Sequence, residues 1–238
     1  IAFEPIGRQP VMTPRIRDGG TMKVRRFIWS MAVMAAIALY AVPLRADTIH
    51  SNLGPGDSFD LIQGWNVTTL ASVTGVDQDI AMPFTVIGTS HTFTSAELAM
   101  LHVGGTSSLD ILLTADAGGV PGAVIETMNF TVVGGPALVT ATSVLNPTLV
   151  AGTTYWIATV AGGDHSSEWM FAGSPGGGDH IFGTPGFSYD GGASWSTLDQ
   201  EEAAFRVNGN VVPEPTTALL LGIGLVGMTG ARRKRSAQ

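Results

Sequence analysis

Two tetrapeptides, Gly162-Gly163-Asp164-His165 and Gly177-Gly178-Asp179-His180, repeat one residue order 15 positions apart. Carboxylate and imidazole are both competent metal ligands, so two Asp-His pairs on glycine turns are candidate ligands. The competing reading is two polar loop tips, and neither His-Glu-x-x-His nor an EF-hand loop is present to favour a metal. Surface acids such as Asp77 and Asp79 are candidates for Ca2+, and no other cofactor is expected. For hydrolysis, Asp199, Glu201 and Glu202 precede the final apolar stretch. Paired carboxylates can run glycoside hydrolysis, but neighbours on a strand point to opposite faces, so a solvated turn is the simpler reading. Gly173-Ser174-Pro175-Gly176 is not a nucleophile elbow, and the absence of Cys removes disulfides, thiolate metal sites and Cys nucleophiles. No catalytic residue is assigned, and the expectation is a protein without enzymatic activity.

Ser188-Tyr189-Asp190-Gly191-Gly192-Ala193-Ser194-Trp195 satisfies the Asp-box pattern Ser-x-Asp-x-Gly-x-Ser/Thr-Trp. In such a turn the Asp side chain bonds nearby backbone N–H groups, the Gly supplies a permissive dihedral and the Trp packs beneath. Asp-boxes recur in sialidase propellers. A propeller needs several four-stranded blades, and one box argues instead for a structural hairpin built on Ser188, Asp190, Gly192 and Trp195. Trp65, Trp156, Trp169 and Trp195 are four large aromatics in one segment. Buried Trp is the commoner outcome. Trp169, beside Glu168 and near a glycine-rich loop, is the candidate exposed ring for stacking on a sugar.

Charge separates this middle segment from the ends. The 238-residue chain has 12 Lys and Arg against 19 Asp and Glu, a formal net charge of −7. Between Asp47 and Val212 lie 16 acids and one base, Arg206, which makes that segment −15. So acidic a surface repels a phosphate backbone and excludes nucleic-acid binding as a function. The remaining bases sit at or before Arg45 and in Arg232, Arg233, Lys234 and Arg235.

Those bases flank two apolar runs that account for part of the mean hydropathy of +0.28. After Met22, the bases Lys23, Arg25 and Arg26 precede an almost wholly apolar stretch from 27 to 42, broken by Pro43, with the small Ala46 before Asp47. That order of features is a secretory signal peptide over 22–46, cut by signal peptidase between Ala46 and Asp47. An uncleaved N-terminal anchor is the alternative. Residues 1–21 contain three Pro and three Arg without helical or strand period, and are expected to be a start-site artefact, with Met22 the true start. At the other end, Pro213-Glu214-Pro215 leads into an apolar run from 218 to 228, followed by Arg232, Arg233, Lys234 and Arg235. From 213 to 231 is close to the length that spans a bilayer as one helix, and the basic cluster belongs on the cytoplasmic side. The signal peptide places its own bases there too, so both ends put the acidic middle outside. Gly222, Gly224 and Gly227 fit a dinucleotide fingerprint, but they lie inside the apolar run with no strand-to-helix turn, and read as helix-packing residues.

The tail resembles the PEP-CTERM sorting signal of Gram-negative bacteria, through Pro213-Glu214-Pro215, the apolar stretch, and the terminal Arg232, Arg233, Lys234 and Arg235. The resemblance covers 212–238. It implies recognition by an exosortase, a membrane protease-transpeptidase, with processing near the motif and transient anchoring in the inner membrane. It also implies a host that makes extracellular polysaccharide. A plain single-span anchor is the alternative.

Residues 47–211 read as a single all-β domain, a sandwich or jelly roll. Glycine pairs at 104–105, 118–119, 134–135, 162–163 and 191–192 mark tight turns between stretches rich in Val, Ile, Thr and aromatics. Expected strands are 58–61, 79–86, 92–94, 98–102, 111–113, 128–132, 137–144, 154–160, 168–171 and 204–208, with 154–160 central and no helix. The segment resembles the choice-of-anchor R domain proteins through Ser51-Asn52-Leu53-Gly54, Ala81-Met82-Pro83-Phe84, the 116–122 turn, the 151–156 stretch and Ala204-Phe205-Arg206-Val207. That resemblance implies an extracellular domain with variable C-terminal anchors and carries no catalytic residues.

The functional expectation is an exported, non-enzymatic protein of the outer cell surface or extracellular matrix, associated with extracellular polysaccharide. The alternative is a carbohydrate-binding module for that polysaccharide.

Overall fold

A computed structural model describes residues 46–132, 134–173 and 180–213. The expected signal peptide up to residue 45, the expected sorting helix and the basic tail, including Glu214, Pro215, Arg232, Arg233, Lys234 and Arg235, lie outside them. The described residues form an all-β structure of fifteen strands in antiparallel sheets, and among them no helix is long and apolar enough to cross a membrane.

The first sheet is organised by one long strand, β4 (His91–Gly104). β15 (Phe205–Val211) pairs with residues 91–98 of β4, and β10 (Ser166–Met170) pairs with 100–104. Both share one edge of β4, because β7 (Ala137–Thr142) occupies the other edge over 95–100 and β8 (Thr148–Leu149) over 91–92. β1 (Asp47–Ser51) pairs with β15, and β2 (Gly64–Thr68) with β10. The second sheet runs β13 (Ser196–Thr197), β12 (Gly186–Ser188), β3 (Asp79–Thr85), β9 (Thr154–Ala161), β5 (Ser108–Asp116), β6 (Pro121–Thr131). A two-stranded pair, β11 (Phe182–Gly183) with β14 (Gln200–Glu201), stands apart.

The main core is shared by the two sheets. β3 supplies Ile80, Met82 and Phe84, and β5 supplies Leu109, Ile111 and Leu113. β15 and β10 supply Phe205, Val207 and Trp169. These positions alternate along each strand, as a pleated ribbon with one buried face requires. β4 departs from alternation: Phe93 faces the core from an odd position, whereas Ala96, Leu98 and Met100 do so from even ones. The register against β15 shifts there, from Phe93↔Gly209 to Ser95↔Asn208. One extra residue, a bulge, resets which side chains point inward.

Smaller apolar clusters cover the outer faces. Ala81, Trp156 and Ala158 lie under Leu112 and Trp195 on the second sheet, while Phe59, Ala99, Met170, Ala172 and Ala204 do the same on the first. β9 is thus apolar on both faces, which explains its nearly continuous hydrophobic run. Gly64 is required by close approach: a Cβ there would sit 2.5 Å from the Trp169 carbonyl oxygen across the ladder.

Candidate functional site

The candidate site is built on the outer face of the second sheet, where β12 turns into β13. Asp190 is the organising acceptor. Its Oδ1 receives the Ser188 hydroxyl at 2.9 Å and the Ser194 N–H at 2.8 Å, and its Oδ2 receives the Ser194 hydroxyl at 2.6 Å. Gly192 N–H donates to Ser188 Oγ at 2.8 Å, and the Trp195 ring N–H donates to Gly192 O at 3.1 Å. Gly192 adopts φ 79°, where a side chain is disfavoured, and a Cβ would stand 3.1 Å from Val160 Cγ2. Bonds from Ser194 above all hold the Asp190 carboxyl below its ordinary range. Trp195 packs half-buried on Ala81, Trp156 and Ala158. Phe187, Tyr189, Asp190, Ser194, Trp195 and Ser196 line a shallow depression of about 360 Å³, with Tyr189 59% exposed at its rim.

Beneath the hairpin lies Asp79, opposite Ser188 in the β12–β3 register. It is not the surface acid expected from the sequence, for its residue is wholly buried. Its Oδ1 accepts from Ala161 N at 2.8 Å, and its Oδ2 has no hydrogen-bond partner. Burial, reinforced by the negative charges of Asp77 and Asp190, pushes its pKa up to about 7 against the pull of the Ala161 bond. The sequence signal was present, because Asp79 and Ala81 share the outward parity of β3. What covers that face, the Asp-box hairpin more than 100 residues on, was not legible from it.

The two histidines of the repeated tetrapeptides do not come together. His165 precedes β10 and is buried, its ring nitrogens 2.6 Å from Thr106 O and 2.8 Å from Ser167 Oγ. Burial lowers its pKa. His180 lies at the opposite end of β10, its ring 5.0 Å from that of Phe171 and its Nε2 2.8 Å from Asp60 Oδ2. At ~3.3 Å rise per residue the intervening strand separates them by roughly 20 Å. Asp179 lies outside the described residues. Burial alone would raise the Asp60 carboxyl, but His180 and the N–H groups of Ile62 and Gln63 hold it below its usual range. Among the described residues no group of three or more His, Asp or Glu is placed to hold a metal ion. Glu202 accepts a bond from Asn52 Nδ2 at 3.1 Å, and Glu201 lies in β14.

Trp169 is the second correction. It is 0% exposed, in the main core, with its ring N–H donating to Ala204 O at 2.8 Å. Because Glu168 faces outward, alternation sends Trp169 inward, and no sugar can reach its face. Trp156 is also buried and donates to Asp116 Oδ1 at 2.8 Å, and Trp65 packs edge-on against Phe171 and Phe187. Among the described residues Phe182 and Tyr189 are the large exposed aromatics, and the Asp-box pattern contains Tyr189 only as an unspecified position.

The two ends of the described strands emerge together. Ala46 and Asp47 are exposed, and Asp47 begins β1 opposite Gly209. β15 ends at Val211, Val212 N–H donates to Ser90 O at 2.9 Å, and Pro213 is exposed. Comparison with known proteins bears on this exit alone. No curated protein and no solved structure matches the chain, and no match supports the choice-of-anchor R resemblance. Residues 211–235 match the PEP-CTERM protein-sorting motif, which supports export through the exosortase system.

Proposed function

We propose that this chain is an exported, non-enzymatic surface or matrix protein whose β domain, a two-sheet sandwich, is delivered by its C-terminal sorting signal. The observation that carries the reading is the sorting motif at 211–235, which begins at the last residue of the final strand. The strand and the signal therefore share only Val211, and an exosortase can act on the tail beyond it without opening the fold. Signal peptidase would act at the other end, between Ala46 and Asp47, both exposed. Association with extracellular polysaccharide and transient residence in the inner membrane of a Gram-negative host complete the proposal. The test is to remove 212–238 and fractionate the cells. The intact chain should reach the surface or matrix and the shortened chain should remain periplasmic; equal surface delivery of both would overturn the reading.

One observation favours a carbohydrate-binding role as the second reading. Tyr189, exposed beside Trp195 and Asp190, offers an aromatic face next to carboxylate oxygens, the pairing that sugar recognition uses. A glycan array probed with the intact chain, and with Tyr189→Ala as control, decides it: binding lost in the variant supports this reading, and no binding at millimolar sugar removes it.

A further inference from the structure

Three loops meet where the chain leaves the sheets toward its sorting signal. The β3–β4 loop carries Ile87, the β7–β8 loop carries Val144 and Leu145, and the β8–β9 loop carries Val150. These four side chains are 83%, 83%, 66% and 51% exposed. Ser90 ties them to the exit, since its carbonyl accepts from Val212 N at 2.9 Å and its hydroxyl from Ala151 N at 3.1 Å. Val86 exchanges backbone bonds with Gly152 and Thr153, and Phe93 N–H donates to Pro147 O. The 143–146 tip is held in shape from below by Glu126, which accepts from Ser143 Oγ, Val144 N and Leu145 N while itself 3% exposed.

Single exposed apolar residues need no explanation, but four on adjoining loops around one exit do. These loops, residues 86–90, 143–147 and 150–153, contain no acid and no base, within a segment that carries 16 acids. An acidic domain is repelled by anionic headgroups, so these uncharged loops are the part of this end that can rest on them, with exposed Asp47 and Asp116 on neighbouring segments beside them. The opposite end also exposes Leu70 and Val73, but there an acid, Asp77, lies within the same loop. Five Cα-to-Cα steps lead from Pro213 to Ala218, where the apolar run of the tail begins. Fully extended, they reach at most about 18 Å. While the tail is in a membrane, the Ser90 end is therefore held within one short tether of it.

We infer that Ile87, Val144, Leu145 and Val150 form a bilayer-contacting surface, seated in the interfacial region of the phospholipid membrane that the C-terminal run enters. The inference rests on the proposed anchoring role of that run. Its effect would be to fix the domain upright over the membrane and hold the Pro213-Glu214-Pro215 region at the bilayer surface until processing.

The chain lacks Cys, so single reporters are easily placed. The full chain carrying Leu145→Cys, Ile87→Cys or Val73→Cys is labelled with an environment-sensitive fluorophore. It is then reconstituted into phosphatidylglycerol–phosphatidylethanolamine vesicles, with and without spin-labelled lipid. Labels at 145 and 87 should shift to the blue and be quenched several-fold more than the label at 73. Co-flotation of the chain with vesicles is measured in the same samples. Flotation with all three labels equally water-exposed overturns the inference and leaves the anchoring reading standing. Failure to float overturns the anchoring reading and the inference with it.

Discussion

The substitution Asp79→Asn should stabilise the protein above neutral pH and leave it nearly unchanged at pH 4. Asp79 Oδ1 receives one bond, from Ala161 N, and an amide oxygen can accept it equally well, while Oδ2 receives none. A carboxyl raised by burial from 3.8 to about 7 is favoured in its protonated form by the folded state. Folding therefore takes up a proton between those two pH values, and stability falls as pH rises through them, levelling off above the folded value. At ~1.4 kcal/mol per tenfold change, the full effect is about 4 kcal/mol, which we take as a ceiling because the sheet can relax around the ionised group. Burial also lowers the pKa of His50 and His165, which removes stability as pH falls below 6.5. That loss is common to both proteins and cancels in their difference. Urea unfolding followed by Trp fluorescence at pH 4, 6 and 8 measures that difference, which should grow from near zero to about 2–4 kcal/mol in favour of the variant. A variant no more stable than the parent at pH 8, with an unchanged pH slope, would refute the description of Asp79 as an unpaired buried acid.

Trp169→Ala should lower the unfolding free energy by about 3–5 kcal/mol, since it empties a filled core site and removes one of the two donors to Ala204 O, the other being Ala99 N; calorimetry showing little change would place the ring outside the core. Gly64→Ala forces a Cβ against the Trp169 carbonyl and should cost about 2 kcal/mol or more, read by the same method. Asp190→Ala should speed amide exchange across residues 188–196 while leaving β9 protected, because Asp190 fastens the hairpin and not the sheet.

How much of this was legible depended on range. Strands 79–85, 137–142 and 154–161 are close to those expected, because Val, Ile, Thr and aromatics alternate there between glycine turns. The expected strand at 58–61 is absent, since Asp60 turns inward to cap the Ile62 and Gln63 N–H groups. The separate stretches 92–94 and 98–102 are one strand, divided in the pattern only by the bulge that shifts parity after Phe93. β2 lies outside the expected strands, for Gly64 and Asn66 carry little strand propensity and the segment is held by pairing with distant β10. The local bonds of the Asp-box follow from its own spacing. The burial of Asp79 and Trp169, and the separation of His165 from His180, follow from which strands become neighbours.

Delivery of this domain outside the cell by a C-terminal signal that an exosortase reads can be measured directly. The quantity is the intact mass of the chain recovered from the surface of a host with its exosortase and of one without. The first host should yield a surface form beginning at Asp47 and lacking Arg232, Arg233, Lys234 and Arg235, and the second an unprocessed, cell-retained form. A surface form that keeps its basic cluster in both hosts would be incompatible with delivery by exosortase processing.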